Sequence, residues 1–183
     1  MAAWIWIVVA VIVVLGFAVA AWMYMEKERV RRLRTRFGPE YDRTIRERGP
    51  HGAAAELERR QKRIEALDIR ELSKDERERF GESWRVQQAR FVDDPRAAVG
   101  EADHLCSKVM RARGYPISAF EQRAADISVD HPRVVEHYRA AHAIALRHEP
   151  GAATTEDLRE AMVHYRVLFE DLLGSRVRVA GGH

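Results

Sequence analysis

AAWIWIVVAVIVVLGFAVAAWMYM, from Ala2 to Met25, runs directly into EKERVRRLRTRF, from Glu26 to Phe37. The first stretch contains no charged residue and no proline. As a helix it rises about 36 Å at about 1.5 Å per residue, enough to cross a hydrocarbon core of about 30 Å with modest tilt. The second stretch packs Lys27, Arg29, Arg31, Arg32, Arg34 and Arg36 into three helical turns. Together they predict one membrane span followed by a polar body. Trp4 and Trp6 at one end, with Trp22 and Tyr24 at the other, are placed to form the aromatic belts that mark both bilayer interfaces.

Orientation follows from the basic residues beside the span. They lie on its C-terminal side, so the positive-inside rule puts the N-terminus outside and residues 26–183 in the cytoplasm, with the span in the plasma (inner) membrane. Each cation adds about 1 kcal/mol of attraction to an anionic leaflet, offset locally by Glu26 and Glu28. A cleavable signal peptide is the competing reading, with Ala18-Val19-Ala20 as its cleavage site. It needs a basic n-region and a shorter apolar core. No Lys or Arg precedes the apolar run, and the run continues past Ala20 through Trp22, so an uncleaved anchor is expected. Gly16 and Ala20 form a small-xxx-small pair, a spacing that lets two spans approach closely but arises often in Ala-rich segments.

The body is expected to be all-α. Gly38 stops the first helix and Pro39 suits the first position of the next. PEYDRTIRER forms a short helix closed by Gly49-Pro50-His51-Gly52. From Ala53 to Asp68 the chain is helix-forming and highly charged, with Leu57, Ile64 and Leu67 as a thin apolar stripe, the pattern of an exposed strut or of half an intermolecular pair. Ser73-Lys74-Asp75-Glu76 is a capping box that starts a helix at Lys74, carrying Phe80, Trp84, Gln87 or Gln88, and Phe91 on its buried face. Asp94-Pro95 caps the next, whose stripe is Ala98, Ala102, Leu105, Val109 and Ala112.

Ser118-Ala119-Phe120-Glu121 has the form of a second capping box, opening a short helix to Ile127. Asp130-His131-Pro132 starts another, with Val134, Val135, Tyr138, Ala141 and Ala145 on one face, closed at Pro150-Gly151. Thr154-Thr155-Glu156-Asp157 caps the last, striped by Leu158, Met162, Tyr165, Phe169 and Leu172 and stopped at Gly174. The expected organisation is therefore an anchor (1–25), a basic juxtamembrane segment and charged helical linker (26–72), a bundle of about four main helices with short connecting helices (73–174), and a disordered tail (175–183).

Composition bounds the chemistry. With 31 Lys and Arg against 28 Asp and Glu, the formal net charge is +3, and the two signs interleave. That favours a solvated, salt-bridged helical surface over a nucleic-acid partner. Cys106 stands alone, which rules out an intrachain disulfide and a zinc-thiolate cluster. It is read as a small buried hydrophobe. There is no Gly-x-Ser-x-Gly elbow, Gly-rich phosphate loop or HExxH. No cofactor is indicated, and an enzyme is not the favoured class.

One metal hypothesis arises. Glu101 and His104 have Glu-x-x-His spacing, the unit from which di-iron bundles are built, and Glu160 with His164 at i,i+4 offers an irregular second pair. The competing reading is solvated side chains paired locally on charged helices. His142 follows Tyr138 by four and is read as a core histidine satisfied by a hydrogen bond. Asp130, His131, Arg133 and Glu136 are read as a structural polar network, and Trp84 with Phe80 and Phe91 as core.

RFGPEYDRTI, RVQQARFVDDP, VMRARGYP, FEQRAADISVDHPRVVEHYRAAHAIA and TEDLREAMVHYRVLFEDLL, which span most of the body, resemble an uncharacterised family of single-pass, membrane-anchored helical proteins from GC-rich bacteria. The resemblance implies membrane attachment and a helical body. No activity is assigned to that family, and no functional residue is carried over from it. The arginine-over-lysine bias fits the same origin. The functional expectation is a non-enzymatic scaffold or protein-interaction module at the lipid bilayer, with a protein partner or self-association. The alternative is a metal- or small-ligand-binding bundle.

Overall fold

The computed structural model describes residues 2–146 and 153–174, without the side chains of 2–5, 9–11 and 51. Trp4's side chain, the stop at Pro150-Gly151 and the tail 175–183 therefore lie outside the described residues. Among those described, the chain is helical and contains no strand.

α1 is Ala2–Phe37, one uninterrupted helix that carries the apolar stretch into the basic segment. Its stretch from Trp6 is long and apolar enough to cross a membrane, and none of that apolar window is buried by the rest of the chain. Gly38, at φ +50°, reverses the chain. α2 is Pro39–Glu65, broken at Gly49, whose φ of 71° and ψ of 168° are non-helical and which precedes Pro50. The proline forbids the helical bond that would bridge the break, so α2 is two helices at the Gly49-Pro50 punctuation seen in the sequence. Its first part returns along α1, with Arg34 3.8 Å from Asp42. Its second part runs out again beside α1, where Arg29 meets Glu58.

α3 is Lys74–Arg90, α4 Pro95–Ala112, α5 Phe120–Asp130, α6 Val135–Ala145 and α7 Thr155–Leu172. The capping box at Ser73 forms with both reciprocal bonds, Asp94 accepts from the Ala97 amide, and Thr154 pairs reciprocally with Asp157. Two expected starts are displaced. α5 begins with Ala119 as its cap and no side-chain capping bond, while the Ser118 hydroxyl is left buried without a partner. α6 starts at Val135, because Asp130 ends α5 and its carboxylate accepts from the Tyr115 hydroxyl at 2.7 Å instead of capping a new helix.

α7 packs against α4 and α6, and α4 also packs against α3. Asp103 bonds Tyr165, Arg113 bonds the Leu172 carbonyl, and Trp84 of α3 stacks on Phe169 at 4.7 Å. The α4 contacts climb in the same order along both helices, so α4 and α7 run parallel. α2 rests on α1 and α5.

One apolar core links all of this, from Leu33 and Phe37 of α1 through Leu57 and Ile64 of α2 to Leu172. The charged helix from Ala53 is therefore no exposed strut. Leu57 is fully buried, Ile64 nearly so, and Leu67 packs against the same core. Its thin stripe suffices because its neighbours are equally narrow helices, and arginine–carboxylate pairs fill the flanks.

Candidate functional site

Buried charge fastens the helical hairpin that follows the apolar stretch to the body. Glu40, only 1% exposed, accepts from Arg60 at 2.8 Å and from both terminal nitrogens of Arg139 at 2.6 and 2.9 Å. Arg60 also reaches Glu56. A carboxylate removed from water needs this saturation, since an unpaired buried charge is strongly destabilising. No local pattern marks this cluster, because Glu40 and Arg139 lie on α2 and α6.

The basic segment is not a uniform cationic sleeve. Arg29 makes two 2.5 Å bonds to Glu58, which holds the Glu58 carboxyl below its usual range, and it also touches Glu26. Arg34 faces Asp42. Arg31, Arg32 and Arg36 are exposed. Between α1 and the second part of α2 lies a hollow of about 460 Å³ lined by Arg29, Arg32, Leu33, Arg36, Glu58, Gln61, Lys62 and Glu65. A second hollow, of about 500 Å³, shares Arg29, Arg32 and Glu58 and extends to Trp22, Tyr24 and Met25. Trp6, Trp22 and Tyr24 are all well exposed. Lys62 was not singled out in the sequence, where it reads as one half of an ordinary Glu58–Lys62 i,i+4 pair.

The four metal candidates do not assemble. Glu101 and His104 are exposed on α4, and Glu160 is exposed on α7. Among the described residues no group of three or more His, Cys, Asp or Glu side chains is placed to hold a metal ion. Glu160 lies 3.6 Å from His164, and His164 meets His137 of α6, with their Nδ1 atoms 2.8 Å apart. Helical spacing brought each Glu–His pair onto one face; it did not turn the two faces toward each other.

His104 instead borders a cleft of about 380 Å³ with Asp103, Ser107, Lys108, Arg111, Tyr115 and Arg123. Arg123 donates to Ser107 at 2.7 Å, while its buried Nε has no partner. Asp103 accepts from Tyr165, and burial together with Asp103 pushes the Tyr165 phenol far above its ordinary range. Tyr138 is raised by the same causes. These phenols are held neutral.

His142 is half-buried and stacks face to face on Phe120 at 3.6 Å. Burial lowers its pKa. His131 contacts Asp171 and Arg113, a network assembled from α4 and α7 and not from Arg133 and Glu136. Cys106 is fully buried, and burial pushes its thiol well above the ordinary range. No family model, curated protein or solved structure matches the chain.

Proposed function

We propose that this chain is a single-pass membrane protein, with its N-terminus outside and a cytoplasmic helical body that serves as a non-enzymatic scaffold for a protein partner. The observation that carries this reading is the continuity of α1. The apolar helix does not end in a flexible tether. It enters the body unbroken, burying Leu33 and Phe37 and clasping Glu58 through Arg29. A module coupled rigidly to its span presents a fixed face at a fixed height, a property that serves assembly more than diffusional capture of a substrate.

The charge distribution supports the orientation, since the basic turns follow the apolar stretch directly. Exposed apolar side chains supply a docking surface. Val92 is 83% exposed at the end of α3, and Val163 is half exposed on α7 beside Phe91 and Met162.

Protease shaving of spheroplasts with a tag after His183 tests the topology: a protected tag is the expected result, and digestion overturns the cytoplasmic body. A photo-reactive residue at Val163, activated in intact membranes, tests the partner. The expected outcome is reproducible capture of one protein, and capture no greater than from the exposed helix position Arg79 overturns the scaffold reading. A small-ligand role is favoured by one observation alone, the cleft beside Arg123 with its unpartnered Nε.

A further inference from the structure

Two hollows beside the basic segment share Arg29, Arg32 and Glu58, so they form one groove between α1 and the second part of α2. Its lower end is walled by Trp22, Tyr24 and Met25, at the close of the apolar stretch. Its upper end is walled by Arg36, Gln61, Lys62 and Glu65. The groove thus begins where a bilayer interface would lie and climbs away from it along the body.

Its charges are sorted. Glu58 is satisfied by the two Arg29 bonds, Glu26 by Arg29, and Glu65 accepts from Gln61 at 2.7 Å. Among the described residues no carboxylate lies within 4 Å of Arg32, Arg36 or Lys62, although Arg32 and Lys62 both act on Glu58 at longer range. Glu28 lines only the lower hollow, so the field favours an anion higher up, between Arg32 and Lys62. Those two cations approach from different helices, and the Arg29–Glu58 clasp beneath them fixes the spacing of α1 and α2.

Height fits a lipid. Arg32 stands about 10 Å beyond Met25 along the helix. The polar region on each side of a bilayer is about 5–7 Å thick, and a long arginine stem lets its head reach down to it. We infer that this groove is a headgroup site for an anionic phospholipid of the adjoining leaflet, with Arg32 and Lys62 on the phosphate, Arg36 behind them, and Trp22 and Tyr24 against the upper acyl and glycerol region. The inference rests on the membrane-anchored reading and deepens it: general attraction to a charged surface becomes a site of defined walls.

The test uses the full chain in nanodiscs of phosphatidylcholine containing a minority of phosphatidylglycerol, with native mass spectrometry counting the lipids retained on release. The wild type is expected to retain phosphatidylglycerol well above its share of the disc. R32A and K62A are each expected to lose about fivefold in that preference, the factor that corresponds to one cation at an anionic surface. R31A, which removes the same charge from α1 outside the groove, is expected to keep it. Equal losses for R31A, R32A and K62A would mean a diffuse field and overturn the site, as would absence of preference in the wild type. Release of the chain from membranes by alkaline carbonate would overturn the anchored reading itself, and the lipid site with it.

Discussion

Glu40 illustrates how much one side chain decides here. It is buried and holds two guanidinium groups, one from the second part of α2 and one from α6. Replacing it with alanine strips Arg139 of its carboxylate and leaves Arg60 with Glu56 alone, and such a break costs about 3–5 kcal/mol. Chemical denaturation of E40A should show that loss, whereas E47A, at an exposed i,i+4 pair with Arg43, should change stability by less than about 1 kcal/mol. His142 gives a second outcome, read in pH. Its folded pKa is lowered by burial, so protonation favours the unfolded chain, whose histidine titrates near about 6.5. Its contribution is intact above that value, is lost as pH falls through it, and levels off below the folded pKa. Asp103, Arg123 and Glu121 face it with opposing influences, secondary to burial. Thermal melts of H142F, which keeps a ring against Phe120, should therefore lose less stability than wild type between about pH 7.5 and 5. An unchanged pH slope would remove His142 from the account.

Local signals served well at the level of elements and failed where tertiary partners competed. Ser73, Asp94 and Thr154 cap as read, because each sits beside solvent and its nearest acceptor-seeking amides are its own. Ser118 carries the same pattern but does not cap, and Asp130 is drawn to Tyr115 before it can start α6. The stripes of α4 and α7 were legible from spacing alone, since a buried face must recur every three or four residues. What spacing does not carry is the rotation of one helix against another. For that reason Glu101, His104, Glu160 and His164 looked like a ligand set and are not one. Gly114 is a place where local and tertiary demands coincide. Its φ is +99°, and a Cβ there would lie 2.4 Å from the Asp68 carbonyl oxygen. The close approach lets Arg70 donate its amide to the Arg113 carbonyl at 2.8 Å, tying the 66–73 connection to the end of α4. G114A combines strained backbone with a contact that backbone atoms must move to relieve, and should cost about 2–4 kcal/mol by denaturant melt. G81A, with open space about its Cβ, should be neutral or slightly stabilising.

For the molecule as a whole the question is where the folded body begins. Sequence composition draws that line at residue 72, since everything before it is either apolar or dense with charge. Packing draws it elsewhere: Leu33, Phe37, Tyr41 and Leu57 belong to the same core as Val109 and Tyr165. The charge density of residues 26–72 masked this, because most of these charges lie on the outer faces of helices whose inner faces are apolar, while Glu40 and Arg60 pair inside. The consequence is mechanical as well as energetic. A chain beginning at Glu26 retains both α1 core side chains and should fold as a soluble body. A chain beginning at Pro39 loses Leu33 and Phe37, which bury apolar surface against α2 and α5, together with the Arg29–Glu58 clasp. Truncation of single core side chains of this size costs about 2–5 kcal/mol each, a large share of the about 5–15 kcal/mol that holds a domain of ordinary stability together. The shorter chain should therefore melt far below the longer one and expose Cys106 to a thiol reagent under conditions where the longer body protects it. Equal melting temperatures and equal thiol protection would place α1 outside the folded unit. The rigid coupling of the apolar helix to the body, on which both the scaffold and the lipid groove depend, would then be lost.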